Sequence, residues 1–523
     1  MQKRTHAALE AFRLFMKKQL HNITIIGAGI NGLVAANYLA RAGHQVTLLE
    51  RKDWVGGACI AETAEVDGIK QDYPLGATVL GLMQDFVWQE TGLADRLQAW
   101  APRKPNLAFF PGSDQPARIY HDASQLHREL ADKWGEQGDL TAFNNDSDRV
   151  VRFLQAGYRA GRPPSVEETI AELGAELTSL WITGSANNLL DHYLTAEQTK
   201  IYIAMNVIES GPVSLSEPYS AFIVPMMRSG SVFEGHYGFV RGGIWQITRE
   251  LGQINQELGV DIVLSCDVQE VDMQTGIVRY ENSAGPQTLA SDHIVFATDP
   301  QTAARLSGDS ALVQHTNEER VLGTAGKLSL MFRNPVRWNE GGGDTESDAV
   351  FRYFFAVDSI ADFETATLAV VDGEDFVPGY FQVYCEGAGM RQQGLDEPFD
   401  RLVVFFKNLA LGKSGEELAE VEAEVKQIIL SHIENPEDCA WSRLLSPRDL
   451  QQTFGFPGGN IEHTMLVGGQ SYSDRQYSED AKRRFYQFGD FENASICGSS
   501  TYPCGSVTGT PGYMCVSELL RRK

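Results

Sequence analysis

An α/β fold, with a parallel layer begun at the N-terminus and closed at the C-terminus around a second domain of mainly antiparallel sheet plus helices, is predicted by three observations. Ile23, Ile25 and Ile26 form a short β-branched run followed at once by Gly27, Gly29 and Gly32 and then by a helical pattern. Residues 322–412 alternate apolar runs with Gly, Asp and Pro turns, as the strands of an antiparallel sheet do. A glycine-rich turn, 501–512, precedes a final helix. The chain of 523 residues, 43% hydrophobic, is long enough to bury a large core divided between more than one layer.

The first unit reads strand, tight turn, helix, strand. Gly27, Gly29 and Gly32 keep the G-x-G-x-x-G spacing, with Asn31 between the last two. Gly27 permits a sharp turn, Gly29 a close backbone approach to a pyrophosphate, and Gly32 the packing of a helix, Leu33 to Ala42, on the sheet. Gly43 stops that helix, and the strand Gln45 to Leu49 ends in Glu50, eighteen residues beyond Gly32 and placed to accept from the hydroxyls of an adenosine ribose. Strand, helix, second strand and acid in register predict a Rossmann-like dinucleotide site, and the acid argues against a 2′-phosphate there. Glu50-Arg51 is followed by Gly56-Gly57-Ala58, an E-R-x(4)-G-G pattern. It resembles that of the flavoproteins that include phytoene desaturases and amine oxidases, where the glycine pair is a second contact to the flavin diphosphate. The resemblance implies FAD and a two-dinucleotide-binding-region flavoprotein fold.

Composition narrows the partners. A formal charge of −25 and a pI near 4.9 repel polyphosphate backbones, so nucleic acid is not expected. The seven cysteines, scattered and odd in number, lack metal-ligand spacing and suit a reducing, cytoplasmic setting without a disulfide frame or a metal. Residues 1–21 form an extension in which Leu9, Phe12, Phe15 or Met16 and Leu20 recur at near-helical spacing among lysines and arginines. Peripheral membrane contact is one reading of it. An upstream start ahead of Met16, or a tail packed on the body, is the stronger one. The extension lacks a secretory cleavage pattern, and no apolar run reaches the ~18 residues of a spanning helix.

From Gln71 to Thr78 the sequence reads as a Pro/Gly loop. In the flavoproteins it resembles, the equivalent loop runs beneath the flavin ring, which makes Gly76, Ala77 and Thr78 candidate contacts. Helices are expected at Gln125 to Trp134, Asp148 to Ala160 and Ser165 to Leu180, the last opened by a Ser165/Glu168 capping box. The segments Ser185 to Leu194 (S-A-N-N-L-L-D-H-Y-L) and Tyr237 to Gly243 (Y-G-F-V-R-G-G) resemble those of the pyridine nucleotide-disulphide oxidoreductase domain-containing protein 2 group, relatives of bacterial phytoene desaturase. A helix at Ile244 to Leu258 and strands at Val260 to Leu264 and Cys266 to Val271 follow, and the resemblance implies that Val268 clamps the adenine. The strand His293 to Ala297 is expected to return beside the first one.

Glu416 to Ile433 is a charged helix with a Glu422/Lys426 pair on an outer face. Phe456 to His463 (F-P-G-G-N-I-E-H) continues the resemblance, and the strand Ala494 to Gly498 leads into Thr501 to Gly512 and the helix Tyr513 to Leu520. There the resemblance implies the closing flavin contact, with Gly498, Gly505, Ser506, Val507 and Thr508 as candidates at a helix N-terminus. Relatives read T-H-P-G-G-G where this chain has Thr501-Tyr-Pro-Cys-Gly-Ser506. Cys504 is read as a small packed residue ahead of a flavin attachment point or redox thiol, and Tyr502 as either ring packing or a proton donor. His463 and His236 are read as structural.

The domain plan is an extension (1–21), a FAD-binding segment (22–122), a helical lid or substrate region (123–235), a second FAD-binding segment (236–321), a substrate domain (322–455) and a C-terminal FAD-binding segment (456–523). The expected activity is an FAD-dependent oxidoreductase, a desaturase or dehydrogenase, that takes hydride and proton from an apolar, polyene or isoprenoid-like substrate and passes electrons to quinone or oxygen. A flavin amine oxidase, a redox-neutral flavin isomerase and a non-catalytic flavin-binding partner protein are the alternatives.

Overall fold

The computed structural model describes residues 21–113, 115–339, 349–373, 376–478 and 484–521. The extension up to residue 20 therefore lies outside the described residues. The first strand, Asn22–Ile26, sits at the centre of a five-stranded sheet in the order Ala494–Ile496, His293–Phe296, Asn22–Ile26, Gln45–Leu49, Asp261–Val263. Every pairing is parallel, with Ile23 opposite His293 on one side and Val46 on the other. Such a sheet must be covered on both faces, and its strands read as near-continuous apolar runs for that reason. The first and last strands of the described residues thus share one layer, with His293–Phe296 between them, and that strand returns beside the first as expected.

The helix after the first turn spans Ile30–Arg41, three residues earlier than the expected start. It winds through Asn31 and Gly32 because Gly29, not Gly32, is the residue that caps it. The C-terminal helix, Thr510–Arg521, lies against it at a glycine, since a Cβ on Gly512 would stand 2.2 Å from the Asn31 carbonyl oxygen. The expected start at Tyr513 misses the turn containing Pro511, which is tolerated where the N–H has no helical partner.

A seven-stranded sheet forms the second layer, in the order Cys439–Leu445, Gly326–Phe332, Asp400–Phe406, Tyr380–Tyr384, Phe351–Phe355, Asn106–Phe109, Ala117–Ile119. All neighbours are antiparallel except Phe351–Phe355 with Asn106–Phe109. The four apolar runs of 322–412 (327–332, 350–356, 380–384 and 401–406), expected as antiparallel strands, form contiguous neighbours here. Asn106–Phe109 and Ala117–Ile119, read from sequence with the nucleotide segment 22–122, extend this sheet instead.

Helices of the 123–235 region cover it. The Ser165/Glu168 capping box is present, but Gly174, at φ +90°, ends that helix as Val166–Leu173, and the chain continues through Ala175–Thr178 and a π-turn, Ser179–Thr183. The helix expected from Asp148 begins at Leu140, capped by the Asp139 carboxylate, and its polar stretch at Asn144–Ser147 conceals a buried stripe of Phe143, Ser147, Val150, Leu154 and Tyr158. Glu416–Leu430 buries Val421, Val425 and Ile429, and Glu422 and Lys426 meet through the Ser442 hydroxyl between them.

Candidate functional site

A cavity of about 390 Å³ opens between the two sheets. Its first half is built from the turn after the opening strand. Gly56 N–H donates to the Ala28 carbonyl at 2.7 Å, and a Cβ on Gly57 would lie 3.2 Å from the Gly29 Cα, so the glycine pair closes over the turn backbone to backbone. Gly56 (φ +122°) and Gly57 (φ +59°) are both in conformations that side chains resist. The Glu50 carboxylate accepts from the Ala28 N–H at 2.8 Å and the Lys52 N–H at 3.0 Å, which fixes its place on the cavity edge. Val268 joins that edge because Cys266 N–H donates to the Glu50 carbonyl at 2.9 Å.

Gly27, Gly29, Asn31, Glu50, Arg51, Gly56, Gly57, Ala58, Gly76, Ala77, Thr78, Val268, Ser506 and Val507 all border the cavity. Gly32, Gly498, Gly505 and Thr508 do not. A Cβ on Gly32 would sit 2.1 Å from the Gly27 carbonyl oxygen, and one on Gly498 would sit 1.9 Å from that of Thr298; both glycines admit neighbouring backbone. Gly505 donates its N–H to Glu462 at 2.5 Å, and the Thr508 hydroxyl meets that of Thr510 at 2.5 Å. Of the C-terminal candidates, Ser506 and Val507 are thus the ones at the cavity.

Arg51 crosses to the other layer, where its guanidinium donates to the Phe454 carbonyl at 2.6 Å. Lys327, on the second sheet, does the reverse: its ammonium donates to the carbonyls of Pro74 (2.6 Å), Leu75 (3.1 Å) and Gly76 (2.9 Å) and so holds the loop that carries Gly76 to Thr78. Burial pushes Lys327 down to about 7, against the pull of Glu386 and of three carbonyl oxygens that need all its protons. Neither partnership is visible in sequence, because each spans hundreds of residues. The one hint is a lysine inside an apolar strand, where an unpaired charge is not tolerated.

The second half of the cavity is lined by Met205, Met227, Tyr237, Phe351, Tyr353 and Phe405, with Glu209, Gln382 and Tyr384 among them. His463 borders it near Asp299, and burial pushes its ring down to about 4, so the imidazole is neutral. His236 instead stacks on His121 at 3.7 Å. Cys504 and Tyr502 are buried away from the cavity lining; burial drives the Cys504 thiol upward, and the Tyr502 ring packs edge-on against Tyr158, Tyr472 and Phe485. Both pack in the interior, off the cavity wall.

The first half fits a dinucleotide. The N-terminal amides of Ile30–Arg41 face it, a Cβ on Gly29 would meet nothing within 4 Å, and the buried Asn31 side-chain oxygen has no protein partner. Each Glu50 oxygen accepts one backbone bond and keeps a lone-pair direction for a ribose hydroxyl.

Residues 30–376, more than half of the chain, match the flavin containing amine oxidoreductase family. The chain belongs to this family, and its cofactor is FAD. It is 28% identical over 262 residues to the 4,4'-diapophytoene desaturase (4,4'-diaponeurosporene-forming) of Staphylococcus haemolyticus, a match covering 48% of this chain and 49% of that protein. The corresponding Staphylococcus aureus protein is 27% identical over 260 residues with the same coverage. The chain thus spans about half the length of the curated relatives it matches. Among solved structures, putrescine oxidase bound to putrescine aligns at 14% identity over 96% of this chain and 98% of that one with a TM-score of 0.58, and cyclohexylamine oxidase from Brevibacterium oxydans at 14%, 96%, 98% and 0.56. At that identity they establish the shared fold. No helix among the described residues is long and apolar enough to cross a membrane.

Proposed function

We propose that the protein is an FAD-dependent desaturase or dehydrogenase that removes a hydride and a proton from an apolar, polyene or isoprenoid-like substrate, with quinone or oxygen as the final electron acceptor. The observation that carries this reading is a single cavity whose one half is glycine backbone shaped for a dinucleotide and whose other half is aromatic and methionine side chains. When bound, FAD supplies a two-electron hydride acceptor. The chain's own residues do the rest. Gly29 and Gly57 leave room for the diphosphate, and Glu50 and Val268 take the adenosine end. Lys327 holds the loop carrying Gly76–Thr78 at the cavity wall, where it would support the flavin, while Phe351, Tyr353 and Phe405 would exclude water from the substrate. The matches to diapophytoene desaturases support a polyene.

The test is to purify the flavin-loaded protein and mix it anaerobically, in separate experiments, with hydrogenated polyenes in detergent and with primary and secondary amines, following the visible flavin band. Bleaching by polyene, with a product lighter by one molecule of hydrogen, is expected. Bleaching by amines alone, with peroxide released in air, would replace this reading with amine oxidation. A polyene product of unchanged mass would replace it with isomerisation.

A further inference from the structure

Five carboxylates border the cavity, and four accept hydrogen bonds from their own surroundings: Glu50 holds the first turn, Asp267 accepts from the Gln269 amide at 2.6 Å, Asp299 caps the helix Pro300–Ser307, and Glu462 accepts from Gly505 N–H. The fifth, Glu209, lies on the short turn Val207–Ser210 and opens onto the aromatic half of the cavity beside Gln382 and Tyr384. Its backbone is fixed, since the Lys407 ammonium donates to its carbonyl at 2.8 Å. Resting on the reading above, we propose that Glu209 accepts the proton lost from the substrate carbon adjacent to the one that gives up hydride.

One C–H bond breaks with its electron pair leaving to the oxidised flavin, which is thereby reduced by two electrons. The adjacent C–H bond breaks with its pair forming the new C=C bond, and its proton goes to a carboxylate oxygen of Glu209, which becomes a neutral acid. Hydride loss leaves positive charge on the substrate, which an anionic oxygen in a dry wall stabilises strongly. Burial pushes Glu209 up to about 7; Lys407 and a hydrogen bond from Gln382 oppose the rise, and Glu462 adds to it. Tyr237, Tyr380 and Tyr384 also face Glu209, and burial together with the Glu209 charge keeps their hydroxyls protonated. A carboxyl balanced near neutrality both takes a proton in turnover and releases it afterwards.

The experiment compares holoprotein carrying Glu209→Gln and Glu209→Asp with the parent. Infrared difference spectra across neutral pH, without substrate, should contain protonated-carboxyl absorption titrating near 7 in the parent, shared with Glu319 and Glu397, which burial also pushes up to about 7; the band of Glu209 is the part of it that persists with Asp and is lost with Gln. In anaerobic mixing with a hydrogenated polyene, the parent's bleaching rate should rise with pH through the same midpoint. Glu209→Gln, at equal flavin occupancy, should be slower by about 100-fold or more and flat with pH, and Glu209→Asp should keep the pH dependence. A Gln variant that bleaches at the parental rate with the parental pH profile, or one that keeps the whole of the parental absorption, overturns the assignment. A parent that no polyene bleaches ends the substrate reading itself and the assignment with it, a result distinct from a bleaching parent with an indifferent Gln variant.

Discussion

In the five-stranded parallel layer the closest approaches are backbone on backbone, while in the seven-stranded layer they are between charges inside an apolar wall. Gly32 against Gly27, Gly498 against Thr298 and Gly512 against Asn31 each leave no room for a methyl group. In the second layer Arg401 is buried between Glu386 at 3.3 Å and Glu397 at 3.1 Å and donates to the Asp72 carbonyl, and Lys327 fills the space under residues 74–76. The first layer owes its shape to what is missing from its side chains, and the second to groups that must be neutralised wherever they are buried. Steric exclusion marks its position with a glycine that can be read in the sequence, even where the backbone it admits lies far along the chain, as at Gly498 and Gly512. Charge pairing acts across the fold and leaves no such mark.

The sharpest way to break this contrast lies within one motif. Gly32→Ala should prevent folding, read as loss of soluble protein with a cooperative melt, because the new methyl meets a carbonyl oxygen at 2.1 Å. Gly29→Val, three residues earlier in the same motif, should fold with stability within about 1 kcal/mol of the parent and yet purify colourless, since its side chain points into open cavity where a diphosphate approaches. A Gly29→Val protein that stays yellow at full occupancy would contradict the docking described. In the other layer, Glu386→Gln keeps the volume and leaves Arg401 short of a buried partner; denaturant titration should register a loss of about 3–5 kcal/mol. The smallest effect is Glu50→Ala, which should weaken FAD binding by about 1–3 kcal/mol in a fluorescence titration, because Glu50 both accepts from the Ala28 N–H and faces the ribose position.

The same division decides what could be read without a structure. Strand, glycine turn, helix, second strand and Glu50 were legible because each is a local rule, and the C-terminal return was legible because it carries its own glycine turn. The strands Asn106–Phe109 and Ala117–Ile119 are short, and nothing in four or three residues says which sheet they join; the partner Phe351–Phe355 lies far along the chain. The start of Leu140–Ala160 was hidden because polar residues occupy its outer face while its apolar stripe continues beneath. At the site, Arg51 was expected at the cofactor, and it borders the cavity, but its hydrogen bond to Phe454 adds a clamp between layers that depends on folding. Glu209 and Lys407 leave no signal in the sequence for the same reason as Lys327: a single charge in sequence has no partner until the chain brings one.

Hydrogen–deuterium exchange on the purified protein, with and without FAD, tests most directly whether one flavin is held where the chain's beginning and end converge. Slower exchange on flavin binding is expected together in residues 27–58, in 76–78 and in 506–508, with far less change along the outer helix Glu416–Leu430. Failure to take up flavin, or protection confined to one end of the chain, would contradict it.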